Sequence, residues 1–256
     1  MRNHLRFTLR AGASMLAVVV FTAASFVVCA QNASAPAAAT DRQAISLPAP
    51  QTTGGMPLMQ ALQNRHTTRA FREQALSMQQ LSNLLWAAFG VNRATLPPHK
   101  PVLPSSMSAE AAAAAAAAVA KAEAEAPKTG RTAPSAMNRQ DIQLYVVLAQ
   151  GVYTYDGENN KLVPVASGDQ RSKTGAGAEH AAATIVYVGP AKDDKWEQVD
   201  VGFIAQNVFL FAASEKLNAW FYTIHSDQDL ATIVTALNIP ADHTALFVQS
   251  VGYPVQ

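Results

Sequence analysis

Residues 131–147 read RTAPSAMNRQDIQLYVV, a turn of small and polar residues followed directly by a strand. From Ile142 onward, apolar side chains recur at every second position, which is the period of a β-strand. The turn at 134–138, PSAMN, holds more small and polar residues than a plain connector needs. Small residues let a planar ligand approach the backbone, and Ser135 and Asn138 can hydrogen-bond the polar edge of a heterocycle. Taken alone, the stretch is equally explained as a turn in which Ser135 caps a helix and Asn138 is exposed.

The chain around this stretch predicts helices and strands in mixed order. A helix is expected from about Pro57, and a second from Ser77, where Ser77-x-x-Gln80 forms a capping box and Gly90 a C-cap. The later predicted elements are a strand at 142–148, a hairpin of 152–155 and 162–165, a buried strand at 183–188, a long helix at 200–217, a strand at 220–224, a helix at 227–237 and a strand at 245–251. Antiparallel and crossover pairings are both available, so the pattern predicts an α+β sandwich.

Residues 96–129 differ in composition from the rest of the chain. Four prolines precede a run from Ala109 to Ala126 that contains little beyond alanine, glutamate and lysine. Alanine has the highest helix propensity, so the run predicts a helix, but one with almost no large side chain to bury. We interpret the segment as an insertion that carries a surface helix, and a flap that shields a pocket is the alternative.

The N-terminus has the features of a secretory signal peptide. Arg2, Arg6 and Arg10 form a positive region, and Ala11–Val28 is an apolar stretch. Small residues then precede a cleavage point after Ala30. Residues 1–30 are therefore predicted to be removed during export, which places the protein in the periplasm or outside the cell.

Two other interpretations of this region stay open. One is an uncleaved membrane anchor, because the apolar stretch is close to the shortest that spans a bilayer. The other is a lipoprotein anchored at Cys29, which the bulky Val28 disfavours. Cleavage would leave a chain without cysteine, which suits an oxidising compartment. Residues 31–55, rich in Ala, Pro, Thr and Gln, are predicted to be a flexible leader, and 56–256 the folded domain.

Composition and motifs exclude several classes of function. The formal net charge is +1 and the sequence contains no basic stripe with interleaved aromatic residues, so nucleic-acid binding is not expected. The sequence contains no phosphate-binding G-x-x-x-x-G-K-[ST], no G-x-S-x-G and no H-E-x-x-H. Its histidines have no metal-ligand spacing, so no metal site is predicted.

One further stretch can carry chemistry, the segment RHTTRAF at 65–71, which we call the basic segment. Arg65 and Arg69 lie four residues apart on either side of two threonines, and Phe71 can anchor the segment to the core. Guanidinium groups offer fork-shaped donors to a phosphate, and hydroxyl groups add neutral donors. The alternative is a basic loop that caps the C-terminus of the preceding helix.

The two stretches together resemble motifs of the nitroreductase family of flavoproteins. The basic segment is similar to that family's R-[RH]-[ST]-x-[RK]-x-F, and residues 134–140 are similar to its P-S-[AS]-x-N-x-Q. GVYTYD at 151–156, with Leu162 and Asp169-x-Arg171, resembles the SagB-type dehydrogenase subgroup. Further matches are Gly202-x-x-x-Gln206-Asn207 and Val251-Gly252-Tyr253-Pro254. The resemblance extends from about Met56 to Pro254, with the insertion outside it.

This resemblance implies an α+β fold with a central, mostly antiparallel sheet, and a homodimer with one FMN in each of two pockets at the subunit interface. It implies that Arg65 and Thr67 hold the phosphate and ribityl chain and that Arg69 lies by the pyrimidine edge. No side chain need act as acid or base, because hydride moves at the flavin N5 and substrates alternate in a ping-pong scheme. The implied cofactor-binding residues are Arg65, His66, Thr67, Arg69, Pro134, Ser135, Ala136, Asn138, Thr223 and Ile224.

The chain also departs from the family pattern. Many relatives carry a basic residue after the last strand that completes the phosphate site, and here Arg171 or Lys173 is the candidate for that role. Residues 222–224 lack the glycine that is common near N5. The resulting prediction is an exported FMN-dependent oxidoreductase that acts on a small organic substrate. The alternative is a non-catalytic protein that keeps the fold and binds flavin, another aromatic ligand or a protein partner.

Overall fold

The structure, a computed structural model, describes residues 43–97, 104–192 and 195–255. The predicted signal peptide and residues 31–42 of the predicted leader lie outside these ranges. In chain order the described elements are strand β1 at Ile45–Ser46, helix α1 at Leu58–Asn64, helix α2 at Met78–Phe89, strand β2 at Val91–Arg93, helix α3 at Ala109–Glu125, strand β3 at Gly130–Arg131, strand β4 at Gln143–Leu148, strand β5 at Gly151–Asp156, strand β6 at Lys161–Ser167, strand β7 at Ala183–Pro190, helix α4 at Lys195–Ser214, strand β8 at Asn218–Thr223, helix α5 at Asp227–Ala236 and strand β9 at His243–Gly252.

A seven-stranded sheet forms the centre of the described residues, in the order β1-β6-β5-β4-β7-β9-β8. Each neighbouring pair is antiparallel, as in the register of Val186 with Val248 between β7 and β9. β8 is an edge strand, so its outer side is open to other segments of the chain. The predicted α+β fold with a central antiparallel sheet is therefore confirmed.

Helices cover both faces of this sheet. On one face, α2 and α4 pack against the strands around Leu84, Ile185 and Ile204. On the other face, α5 covers Val147 and Val186, which explains why β4 is buried on both of its sides. The apolar alternation therefore predicts the strand β4 correctly, but the residues between the alternating apolar ones do not face solvent.

Most predicted elements are present, with two differences at boundaries. The long helix α4 begins at Lys195 rather than at 200, because the apolar residues of 195–199, Trp196 and Val199, are exposed and do not extend the buried apolar face that begins at Val201. It ends at Ser214 rather than at 217, because Lys216 adopts a left-handed backbone with φ 57° and Leu217 leaves the helix. Ordered structure also begins before Met56, since β1 pairs with β6.

The capping box of α2 is confirmed, with both reciprocal hydrogen bonds between Ser77 and Gln80. The alanine-rich run forms α3, a surface helix of the insertion, as predicted. β2 and β3 pair at the base of this insertion, and Leu96 donates its N–H to the carbonyl of Lys128. None of the helices within 43–97, 104–192 and 195–255 is long and apolar enough to cross a membrane.

Candidate functional site

The basic segment runs beside the open edge of the sheet. The N–H of Thr68 donates to the carbonyl of Ala219 in β8 at 3.0 Å. The amide of Asn218 donates to the carbonyl of Ala70 at 2.7 Å. Phe71 is buried, as predicted for an anchor. These contacts fix the backbone of the basic segment against β8 and leave its polar side chains facing outward.

The two arginines of the basic segment lie against aromatic rings. The Arg65 guanidinium is 5.5 Å from the ring centroid of Phe209 in α4, and that of Arg69 is 5.7 Å from Trp220 in β8. Within the described ranges neither guanidinium has a hydrogen-bond or ion-pair partner. Stacking on a ring orients a guanidinium without using its N–H donors, so both groups keep donors for an anion.

His66 and Thr67 lie between these arginines and are exposed. The Nδ1 atom of His66 is 2.7 Å from the carbonyl oxygen of Asn64, which orients the imidazole ring. The basic segment thus does more than cap α1: its arginine, histidine and threonine side chains all remain accessible.

Residues 134–140, which we call the Ser135 loop, are built around one buried carboxylate. The hydroxyl of Ser135 donates to Oδ2 of Asp200 at 2.6 Å, and the N–H of Ala136 donates to Oδ1 at 2.9 Å. Asp200 is fully buried in α4. The Ser135 hydroxyl also accepts the N–H of Gln140 at 2.9 Å. Ser135 therefore holds its loop together and does not cap the short helical turn that follows it, contrary to the simpler interpretation of the sequence.

The backbone of the Ser135 loop is strained. Met137, Asn138 and Gln140 have φ of 52°, 55° and 51°, in the left-handed region that residues other than glycine seldom adopt. The Asn138 amide donates to the carbonyl of Pro127 at 3.1 Å and accepts from Gln140 at 2.8 Å, so it is used within the chain. Met137 is 74% exposed and Pro134 is exposed. Such clustered strain is typical of functional loops.

Arg131 connects the Ser135 loop to the body of the fold. Its Nε donates to the side-chain oxygen of Gln140 at 2.7 Å, and its guanidinium lies 5.3 Å from the Phe89 ring centroid at the end of α2. Burial lowers the pKa of Arg131, and the nearby Glu158 opposes this effect. Because Gln140 in turn contacts Asn138, Arg131 fixes the strained part of the loop.

Asp200 is the positioning residue that the sequence analysis misses. It lies on the same helical face as the buried residues Ile204, Val208 and Ala212, at intervals of four. A carboxylate on an apolar helical face needs hydrogen-bond donors nearby, because burying it without them is costly. That position is a usable sequence signal, although it does not say which segment supplies the donors.

Thr223 and Ile224 stand at the far end of β8, about 13 Å along the strand from the Ala219 contact at a rise of ~3.3 Å per residue. Thr223 is exposed, and Ile224 packs against the core beneath α5. On the same strand, Tyr222 stacks on Trp220 with ring centroids 4.3 Å apart, and burial raises the pKa of Tyr222. β8 thus places the basic segment and Thr223 along one open edge.

The basic segment and the Ser135 loop do not meet within one chain. Their contact points on α4 are Phe209 and Asp200, nine positions apart. In an α-helix this spacing corresponds to about 14 Å along the axis and about half a turn around it. The flavin pocket that the family resemblance implies contains residues of both segments, so one of the two segments has to come from the other subunit of the predicted homodimer.

Metal binding receives no support from the geometry of residues 43–97, 104–192 and 195–255. No three His, Cys, Asp or Glu side chains come together there in a way that could hold an ion.

Comparisons with known proteins agree with this fold. The model of the nitroreductase family matches residues 62–253. A crystal structure from Ralstonia eutropha JMP134 that carries the name nitroreductase is 28% identical, with a TM-score of 0.65, and the match covers 86% of this chain and 94% of that one. No curated protein matches the chain significantly.

A more distant structure shares the fold. It comes from Anabaena variabilis ATCC 29413, is also named nitroreductase and is 16% identical with a TM-score of 0.56, and the match covers 77% of this chain and 38% of that one. An FMN-dependent nitroreductase from Clostridium difficile R20291 is 14% identical with a TM-score of 0.47, over 77% of this chain and 88% of that one. The family match extends over both the basic segment and the Ser135 loop, and the chain belongs to the nitroreductase family.

Proposed function

We propose that the protein is an FMN-dependent oxidoreductase of the nitroreductase superfamily that acts on a small organic substrate. The observation that carries the proposal is the pair of guanidinium groups, Arg65 and Arg69, that are oriented by aromatic rings and keep their donors available. Two such cations at an open sheet edge fit a ligand that is both anionic and extended. FMN, with a phosphate at one end and a polar heterocycle at the other, has that chemistry.

The chain's own residues then have separate tasks. Arg65 and Thr67, beside His66, would hold the phosphate and ribityl chain, and Arg69 would place a positive charge at the pyrimidine edge. When bound, FMN supplies a ring that takes a hydride from one substrate and passes it to the next, a ping-pong scheme. The backbone at Thr223 and Ile224 would face the reactive part of the ring.

The second half of the pocket would come from the partner subunit. Its Ser135 loop would contribute Pro134, Ser135, Ala136 and Asn138, with the strained backbone held in place by Asp200 and Arg131. Because Ser135 and Asn138 use their side chains within their own chain, the loop would meet the ligand chiefly through its backbone and its exposed side chains.

An exposed apolar stripe on α4 supports the proposed homodimer. Trp196, Val199 and Phe203 recur at helical spacing and are 43%, 40% and 45% exposed. Leu58, Met59 and Leu62 on the neighbouring α1 are exposed as well. Large apolar side chains exposed at helical spacing are typical of an interaction surface.

Phe203→Glu is expected to convert the dimer to a monomer, because it places a charge in the middle of the apolar stripe. Light scattering coupled to size-exclusion chromatography measures the mass directly. Val163→Glu, at an exposed position on β6, is the matched control and should leave the dimer intact. A Phe203→Glu protein with the dimer mass would show that α4 is not the interface.

Titration of purified protein with FMN, followed by absorption spectroscopy, tests the proposed activity. A bound flavin spectrum that bleaches with dithionite or NAD(P)H is expected. No binding at saturating FMN would remove the proposal, and a bound flavin that no reductant or acceptor turns over would favour a non-catalytic binding protein.

Export stays a prediction from the N-terminal sequence. If it is correct, N-terminal sequencing of the protein from its native host should begin at Gln31. A mature protein that retains residues 1–30 would contradict cleavage.

A further inference from the structure

A cavity of about 380 Å³ opens next to Arg65, between α1 and the C-terminal end of α4. Phe209, whose ring supports the Arg65 guanidinium, lines this cavity. The polar groups that line it are Asn64, His66, Lys216 and Asn218. The cavity is therefore continuous with the basic segment on the α4 side of the sheet.

Among the described residues, the charged side chains that line or adjoin this cavity, Lys216 and Arg65, are both cationic. Lys216 is exposed just beyond the end of α4, and it has no ion-pair partner among the described residues. No acidic side chain of residues 43–97, 104–192 or 195–255 lines the cavity. The neighbouring Glu215 lines a different pocket, beside α2. A cavity that holds a lysine and a histidine and adjoins an arginine, without a compensating carboxylate, suits an anion.

The left-handed backbone at Lys216 sets the position of this cation. With φ of 57°, the chain turns away from the helix axis, and the N–H of Leu217 returns to the carbonyl of Ala212 at 2.8 Å. A lysine at a helix C-terminus also interacts favourably with the helix dipole. Stabilisation of the helix end is by itself a sufficient reason for a lysine at this position. An experiment on Lys216 therefore has to distinguish ligand binding from helix stability.

We propose that Lys216 is the second cation of the phosphate-binding site, opposite Arg65 across this cavity. The inference rests on the proposed function, since the phosphate is that of FMN. It also replaces the candidates that the sequence suggests for an additional cation. Arg171 forms a bidentate pair with Asp169 and donates to the carbonyl of Ala181, so its guanidinium is already engaged. Its turn, which includes Lys173, contacts α5 on the other face of the sheet.

The test compares FMN with riboflavin, which differs only in lacking the phosphate. Lys216→Ala is expected to raise the Kd for FMN about tenfold or more, because a charge-assisted contact is lost, and to leave the Kd for riboflavin unchanged. Lys121→Ala, at an exposed position on α3, is the matched control and should bind both ligands like the parent protein. Lys216→Arg should keep most of the FMN affinity, which shows that the loss follows the charge.

The possible results separate this inference from the proposed function. Equal FMN affinities for the parent and Lys216→Ala would overturn the role of Lys216 while leaving the flavin site in place. A parallel loss of FMN and riboflavin affinity, with a lowered Tm, would assign Lys216 to helix stability and also overturn it. A parent protein that binds neither ligand would overturn the proposed function itself.

Discussion

Replacing Asp200 with alanine is expected to lower the free energy of unfolding by about 2–4 kcal/mol. The substitution removes the acceptor of the Ser135 hydroxyl and of the Ala136 N–H, and hydrogen bonds to a charged group contribute about 1.5–3 kcal/mol each. It also leaves a small cavity in the fully buried face of α4. Urea-induced unfolding followed by circular dichroism measures the change.

Two variants identify the cause of that loss. Asp200→Asn keeps the shape and one oxygen acceptor, so its effect should be smaller. Ser135→Ala removes one donor to the carboxylate and the acceptor of the Gln140 N–H, and should cost about 1.5–3 kcal/mol. The FMN affinity of the Asp200→Ala protein should also fall, since the Ser135 loop loses its anchor. A stability within about 0.5 kcal/mol of the parent would show that Asp200 does not organise the loop.

Replacing Arg65 with alanine is expected to weaken FMN binding by about 1.5–3 kcal/mol, which is roughly a 10- to 100-fold rise in Kd. The loss arises because the phosphate gives up a charge-assisted contact. The effect on folding should be small, since Arg65 contributes only its stacking on Phe209, about 0.5–1 kcal/mol at an exposed site. Isothermal titration calorimetry gives the Kd, and thermal unfolding checks the fold.

Arg93→Ala provides the control for this result. Arg93 is an exposed arginine in β2, where it hydrogen-bonds Asn92, and β2 pairs with β3 in a sheet separate from the one beside which the basic segment runs. Its removal should leave the Kd for FMN unchanged. If Arg65→Ala and Arg93→Ala have equal effects, the loss reflects overall charge and the basic segment is not a phosphate site.

Local patterns predict much of the fold of this chain. The capping box at Ser77 places the start of α2 correctly, and the hydrophobic alternation from Ile142 identifies β4. The sequence does not predict β1, because a strand of two residues is too short to show an alternation of apolar and polar side chains. The predicted start of α4 is too late because the apolar residues of its first five positions, Trp196 and Val199, lie outside its buried face. The strand order is non-local and follows only from packing.

The sequence predicts less of the candidate site than of the fold. The basic segment and the Ser135 loop are identified through short motifs, but their partners, Ala219 and Asp200, are about 65 or more positions away along the chain. The left-handed backbone of the Ser135 loop has no glycine to mark it. The sequence does not indicate a binding role for Lys216, because lysine is common after a helix. The cavity beside Arg65 is the observation that suggests this role.

The central claim is that each flavin site takes its basic segment from one subunit and its Ser135 loop from the other. The most direct test mixes two variants under conditions of subunit exchange. Arg65→Ala is expected to bind FMN weakly because it loses the phosphate contact, and Asn138→Ala because it loses the bonds to Pro127 and Gln140 that hold the Ser135 loop. Random exchange gives mixed dimers with one site free of both substitutions, so about a quarter of all sites should regain the parent affinity for FMN. A mixture that shows no tight site, while mixed dimers are present, would place both segments in the same subunit's site and contradict this account.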